Sequence, residues 1–361
     1  MIIQYLISYG FLIFLPLSIA AKFLQWGEII IFITSALAII PLSYWLGTAM
    51  EKVAVVIGPS LGGLVNAVFG NTTALIIALV ALQEGLVDIV KASIIGSIIS
   101  DLLLFLGLGM LAGGLRYKEQ TFQPILARVN GSSMTLAVLA VALPTMVIST
   151  SNVVDADVIR QLSVVVATIL MIVYGLTLLF SLKTHSYLYD VGVATEQETA
   201  IEMTETRAPN LYLWLWVLLV STLGIALESE LFVDVMAAVT ASFGLTPLFT
   251  GVILIPLLSD IPGIVTVSRL ATKNLMDLTV ATALGDSLLV ALFVAPLLVF
   301  VGQLMGQDMD LNFNPFESIA VAVAVAVTNL ISFSGRSNWL DGTLLLATYL
   351  ILAVAFYYHP A

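Results

Sequence analysis

No cysteine occurs in the 361 residues, so a disulfide framework is excluded and thiolate metal ligands are missing. Histidine is almost as rare, and the two present, His185 and His359, fall outside the apolar runs, which argues against a soft or borderline metal site. Charge is scarce too. Asp, Glu, Lys and Arg make up 10% of the chain against 60% hydrophobic residues, with a mean hydropathy of +1.10, too little polar material for a water-soluble core and surface. The apolar runs hold no nucleophile paired with a base, no phosphate-binding glycine loop with its lysine, and no haem or cluster ligands, so hydrolase and redox chemistry have nothing to work with. No enzymatic activity, no cofactor and no nucleic-acid partner are expected.

The long hydrophobic runs define a polytopic membrane protein whose partner is the lipid bilayer. Mostly apolar stretches of at least 17 residues lie near 3–21, 28–48, 61–82, 89–112, 132–149, 161–182, 211–227, 246–268, 278–303, 316–334 and 340–358. Each is long enough to cross the ~30 Å hydrocarbon layer as a helix. They are continuously apolar, whereas barrel strands alternate over about 10 residues, so the fold class is all-α with eleven transmembrane helices. Nine of the twelve basic residues (Lys52, Arg116, Lys118, Arg128, Lys183, Arg207, Arg269, Lys273 and Arg336) fall on the side of the N-terminus when eleven spans are threaded, and only Lys22, Lys91 and Arg160 fall on the other. Cytoplasmic loops retain positive charge, which places the N-terminus inside and the C-terminus outside. The first helix is too long, and too poor in charge before it, for a cleaved signal peptide.

Residues 62–101 align without a gap on 251–290 at an offset of 189: Gly62 falls on Gly251, Asp88 on Asp277, Ala92 on Ala281 and Gly96 on Gly285. The chain is therefore read as an internal duplication. A polar, acidic connection at 183–210 divides it, giving a first helix (1–25), a first five-helix repeat (26–182), a cytoplasmic linker (183–210) and a second five-helix repeat (211–361). Five is odd, so the second repeat crosses in the opposite sense to the first. Inverted repeats with polar breaks point to a secondary transporter whose site lies near the bilayer midplane. Much of the net charge of −11 is assigned to the linker and to outer loops around Glu228, Glu230, Asp234, Asp308 and Asp310.

Ionisable residues inside a span cost about 2.5 to 3.5 kcal/mol each at its centre and are functional candidates by default. Three qualify. Asp260 repeats the position of Asn71, Asp286 repeats that of Ser97, and Asp101 follows Ser97 by one helical turn on the same face. Ser287 adds a hydroxyl beside Asp286. Asp101, Asp260 and Asp286 are the candidate metal ligands, and with Asn71, Ser97 and Ser287 they make an all-oxygen set of the kind that suits hard cations such as Ca²⁺. Gly70, Pro256 and Pro262 loosen the helical backbone where carbonyl ligands would be wanted.

Beyond these residues, the chain resembles the Ca²⁺/H⁺ antiporters of the cation/Ca²⁺ exchanger superfamily, of bacterial and cyanobacterial type, over nearly its full length. The resemblance rests on GGLVNAVFGNTT (62–73), KASIIGSIISDLLLFLG (91–107), LRYKEQTFQPILARVNGSSMTLAV (115–138), SLKTHSYLYDVG (181–192), GVILIPLL (251–258), KNLMDLTVATALG (273–285) and SGRSNWLDG (334–342). It implies eleven helices in the arrangement just read, a plasma-membrane location, and Ca²⁺ and H⁺ as transported substrates. It also implies a Gly-Asn-x-x-Glu motif in each repeat, whose glutamates bind the cation and take up protons. Here the motifs read Gly70-Asn71-Thr72-Thr73-Ala74 and Ser259-Asp260-Ile261-Pro262-Gly263, so Ala74 and Gly263 stand where the glutamates belong. Three aspartates replace two glutamates: Asp260 where the family has Asn, Asp286 where it has Ser, and Asp101 where it has Asn. Cation/proton exchange through a rearranged carboxylate set is the expectation. An exchanger of the same fold for Na⁺ or K⁺, and a transport-inactive membrane scaffold, are the alternatives.

Overall fold

A computed structural model describes residues 9–57, 70–151, 155–185 and 209–359. Residues 61–69 of the third expected span, Gly62 among them, and 186–208 of the acidic linker lie outside the described residues. In chain order the elements are α1 (Gly10–Phe23), α2 (Glu28–Ile57), α3 (Thr72–Gln83), α4 (Val87–Tyr117), β1 (Glu119–Thr121), α5 (Pro124–Ser151), α6 (Ala156–Thr184) and α7 (Leu211–Ser242). They continue with α8 (Pro247–Ser259), α9 (Ile261–Thr272), α10 (Met276–Met305), α11 (Pro315–Ser332), β2 (Arg336–Asn338) and α12 (Trp339–Tyr358). Among the described residues eight helices are long and apolar enough to cross a membrane, and nine if α8 and α9, bent by 59° at their junction, form one span. α1 and α3 are shorter apolar helices.

The seventh expected span ends too early. α7 continues to Ser242, because the run after Glu230 (LFVDVMAAVTAS) is again apolar and one acid does not interrupt the helical hydrogen-bond ladder. Glu228 therefore sits inside a helix, fully buried, and not in an outer loop. Asp310 is also engaged, in a 2.6 Å ion pair with Lys91.

Two compact units emerge. The first contains α1, α2, α3, α7 and the short stretch Leu257–Pro262. Here α7 lies along α2: Phe32 stacks on Phe232 with ring centroids 4.7 Å apart, and Leu42, Leu46, Met50 and Ile225 form one apolar cluster. A second cluster, Ala21, Ile31, Leu231, Val235 and Val239, brings in α1.

The second unit holds α4, α5, α6, α10, α11, α12, the β strands and most of α8 and α9. α4 is its axis. Glycines let neighbours touch the α4 backbone: a Cβ on Gly96 would stand 2.6 Å from the Cα of Val252, and one on Gly342 would stand 2.6 Å from the carbonyl oxygen of Gly107. Close backbone approach of this kind replaces the hydrophobic drive that helices lack in lipid. The short strands pair antiparallel, Glu119 opposite Asn338, Gln120 opposite Ser337 and Thr121 opposite Arg336, so the α4–α5 connection is fastened to the α11–α12 connection. At the other end the segment after α10 is tied down. Leu311 and Phe313 donate their N–H groups to Ser163 and Thr145, each at 3.0 Å, and Lys91 reaches Asp310.

Candidate ion-binding site

The break forecast at Asp260 is present. α8 stops at Ser259 and α9 starts at Ile261, with Asp260 at the junction. Asn71, 189 positions earlier, is likewise the residue before a helix, the N-cap of α3. Pro262 is in the first turn of α9, where its missing N–H leaves no helical bond unmade. Gly70 is in the turn that precedes α3. Both Asn71 and Asp260 are buried. The side chain of Ser259 hydrogen-bonds to Asp260, whose Oδ2 finds no partner among the described residues. Asn71 caps no N–H with its side chain, and beside it Thr73 Oγ1 donates to Ser43 Oγ at 3.0 Å. These groups belong to the first unit.

In the second unit α4 and α10 bring together the other candidates. Each contains a π-helical turn, Ser100–Phe105 in α4 and Val290–Val294 in α10, and a third occurs in α8 at Thr250–Leu254. The wider i→i+5 bonding shifts the register of the side chains that follow and is frequent at functional sites. A fourth ends α6 at Phe180–Thr184, and two of the four, those of α8 and α10, precede a proline, Pro256 or Pro296, which can donate no N–H to the residue four positions back and so favours the local departure from α geometry. Asp101 lies in the α4 turn and is buried, as is Ser97 one turn before it. Ser287 of α10, fully buried, points its Oγ at Asp101 Oδ2 (3.4 Å) and at the carbonyl oxygen of Ile98 (3.5 Å), long contacts that leave the hydroxyl loosely held. Asp286 is half-buried and within electrostatic reach of Tyr174 on α6.

The two positions vacated by glutamate differ. Ala74 is half-buried in the first turn of α3. Gly263 is closed off: a Cβ there would stand 2.7 Å from Cε2 of Phe105, itself buried at the end of the α4 π turn. Among the described residues no three Asp, Glu or His side chains converge as a ready metal cage. Hydroxyl, amide and carbonyl oxygens would thus have to complete any coordination shell, as Ca²⁺ readily accepts.

Two residues were not read as buried polar groups in the sequence, Glu228 being assigned to an outer loop and Tyr174 passed over. Glu228, in the first unit, accepts a 2.8 Å bond from Ser18 of α1 on Oε1 and leaves Oε2 without a partner among the described residues. The apolar run on both sides of it was the available signal. Tyr174 had none, since one tyrosine in a lipid-facing run is indistinguishable from a packing residue until its neighbour is known.

The model of the sodium/calcium exchanger protein family matches residues 27–183 and 213–358, which takes in every candidate residue above. The chain belongs to that family. Among sodium/calcium exchanger relatives it is 53% identical over 361 residues to the Ca²⁺/H⁺ antiporter of Aphanothece halophytica, with 98% of this chain and 97% of that one covered. It is 54% identical to the Ca²⁺/H⁺ antiporter of Synechocystis sp. (97% and 96% covered). Its fold matches the structure of native YfkE with a TM-score of 0.81 at 32% identity over 96% of this chain and 99% of that one. The protein is thus an integral, all-α membrane member of the exchanger family.

Proposed function

We propose that the protein exchanges Ca²⁺ for H⁺ by alternating access. The observation that carries this reading is the near-complete overlap with two antiporters of that name at 53% and 54% identity, in a chain where the buried Asp260 stands at a helix break and the buried Asp101 in a π turn. Asp260 with Asn71 in the first unit, and Asp101, Asp286, Ser97 and Ser287 in the second, are the side chains assigned to cation and proton. A carboxylate that keeps a proton while the cation is absent, and gives it up when the cation's charge arrives, serves both substrates in turn.

The proposal extends to topology. Eleven spans result if α1, α3 and the broken pair α8–α9 each count as one. Inverted five-helix repeats are supported by the constant offset of 189, which relates Asn71 to Asp260 and the π turn of α4 to that of α10. The basic loops then face the cytoplasm of a bacterial plasma membrane, with the N-terminus inside and the C-terminus outside.

Everted membrane vesicles test the activity. Under an imposed pH gradient, Ca²⁺ uptake that a protonophore abolishes is expected; uptake of Na⁺ or K⁺ alone, or no ion movement from folded protein, would overturn it.

A further inference from the structure

A cavity of about 630 Å³ opens in the second unit, where the N-terminal end of α5 meets the C-terminal end of α11. Its volume falls in the range of small-molecule sites. None of the candidate ion ligands lines it. Its walls combine an apolar floor (Ile125, Ala127, Phe333) with a polar edge on which Arg128, Ser132 and Thr135 follow one another at helical spacing on α5.

The polar groups there are unequally occupied. Ser132 and Thr135 satisfy their hydroxyls on the carbonyls four residues back, both at 2.9 Å. Ser332 on the facing helix does not: it is 3% exposed, lines the cavity, and its Oγ has no partner among the described residues. Arg128 is exposed and forms no ion pair among the described residues, although the other charges nearby are engaged, Arg336 with Glu119 at 3.1 Å and Asp277 with the N–H of Gln123 at 2.6 Å. The first turn of α5, a helix of 28 residues, adds the positive end of its dipole, although Pro124 has no N–H and the N–H of Gln123 is taken by Asp277. A buried hydroxyl donor, an uncommitted guanidinium and a helix N-terminus together describe an anion receptor of phosphate type.

The surroundings say where the anion comes from. Beyond the cavity the exposed faces of α5 and α11 are apolar, with Leu139, Leu143, Val323 and Leu330 turned outward, so whatever enters meets hydrocarbon on one side and Arg128 on the other. That is the amphipathic pattern of a lipid and not of a soluble ion. We infer that this cavity binds an anionic phospholipid, its headgroup phosphate on Arg128 and Ser332 and an acyl chain along the apolar faces of α5 and α11.

The test uses the full chain purified in dodecyl maltoside, with thermal unfolding followed by tryptophan fluorescence while dioctanoyl phosphatidylglycerol is titrated in. Saturable stabilisation is expected, with dioctanoyl phosphatidylcholine much weaker. Arg128→Gln should weaken apparent affinity about tenfold, the scale of one charge-assisted contact. Ser132→Leu, which keeps the arginine and fills the space, should remove saturation altogether; both sites are exposed, so both variants fold. Equal responses from the wild type and both variants would overturn the proposal. So would equal stabilisation by inorganic phosphate, which would make this a site for soluble anions.

Discussion

Asp260 is buried at a helix break with its Oδ2 unpartnered among the described residues, and a carboxylate so placed is costly in a membrane unless it has a cation or a proton to bind. Neutralising Asp260 and Asp286 selectively should therefore separate transport from folding. Asp260→Asn and Asp286→Ser are each expected to abolish Ca²⁺ uptake in everted vesicles while the purified variants elute and unfold as the parent does. Uptake that persists with both changes combined would assign transport to other residues. The vacated glutamate positions make a sharper case. Glu at 263 must displace the Phe105 ring, an overpacking that costs about 1 to 3 kcal/mol. Gly263→Glu should accordingly lower the unfolding temperature, and Phe105→Ala in the same chain should recover most of the loss. With that pair and Ala74→Glu added to the doubly neutralised chain, Ca²⁺ binding measured by calorimetry is expected to return.

At the level of elements, the breaks were legible and the bulges were not. Asn71, Asp260 and Pro262 are residues whose chemistry declares a discontinuity, and helices stop or start beside them, while Pro256 lies within α8 just after its π turn. The π turns of α4 and α10 fall in runs such as DLLLF and VALFV that hydropathy reads as ordinary helix, because one additional residue per turn leaves composition unchanged. The strands β1 and β2 escaped for another reason: three residues carry no period, and their pairing is decided by partners distant in the chain. Glu228 was misplaced because Glu228, Glu230 and Asp234 together truncated the apolar window, although the helix continues to Ser242. The contact of α4 with the π turn of α8 can be tested. Gly96→Val pushes against the backbone of Val252, which cannot yield as a side chain would, and is expected to destabilise the protein by more than the 1 to 3 kcal/mol of ordinary overpacking. Thermal unfolding should show this, whereas Gly47→Ala, with nothing within 4 Å of its added Cβ, should behave as the parent.

For the molecule as a whole, orientation follows from charge in the connections and is independent of the ion transported. A reporter fused after Ala361 should be active outside the cytoplasm, and one inserted near Glu198 should be active inside. Activity of both on one side would change the number of spans. The expectation rests on a positive-inside bias that sums over many loops and tolerates several misjudged boundaries. The division into compact units was not readable from sequence, since it depends on which apolar faces meet, and leucine, isoleucine and valine record burial without recording the neighbour.

The small ribbon has a bearing on synthesis. Glu119 and Arg336 meet across 217 residues of sequence, so β1 leaves the ribosome long before its mate exists. Until α11 has been inserted, the connection after α4 has its strand N–H and C=O groups exposed at the membrane surface, and Gln120, later buried, has only Ala271 of α9 and Asn274 of the connection after it. Closing the ribbon is thus among the last events of assembly. A chain that stops before Ser334 would insert most of its helices and still present an open strand edge to quality-control proteases.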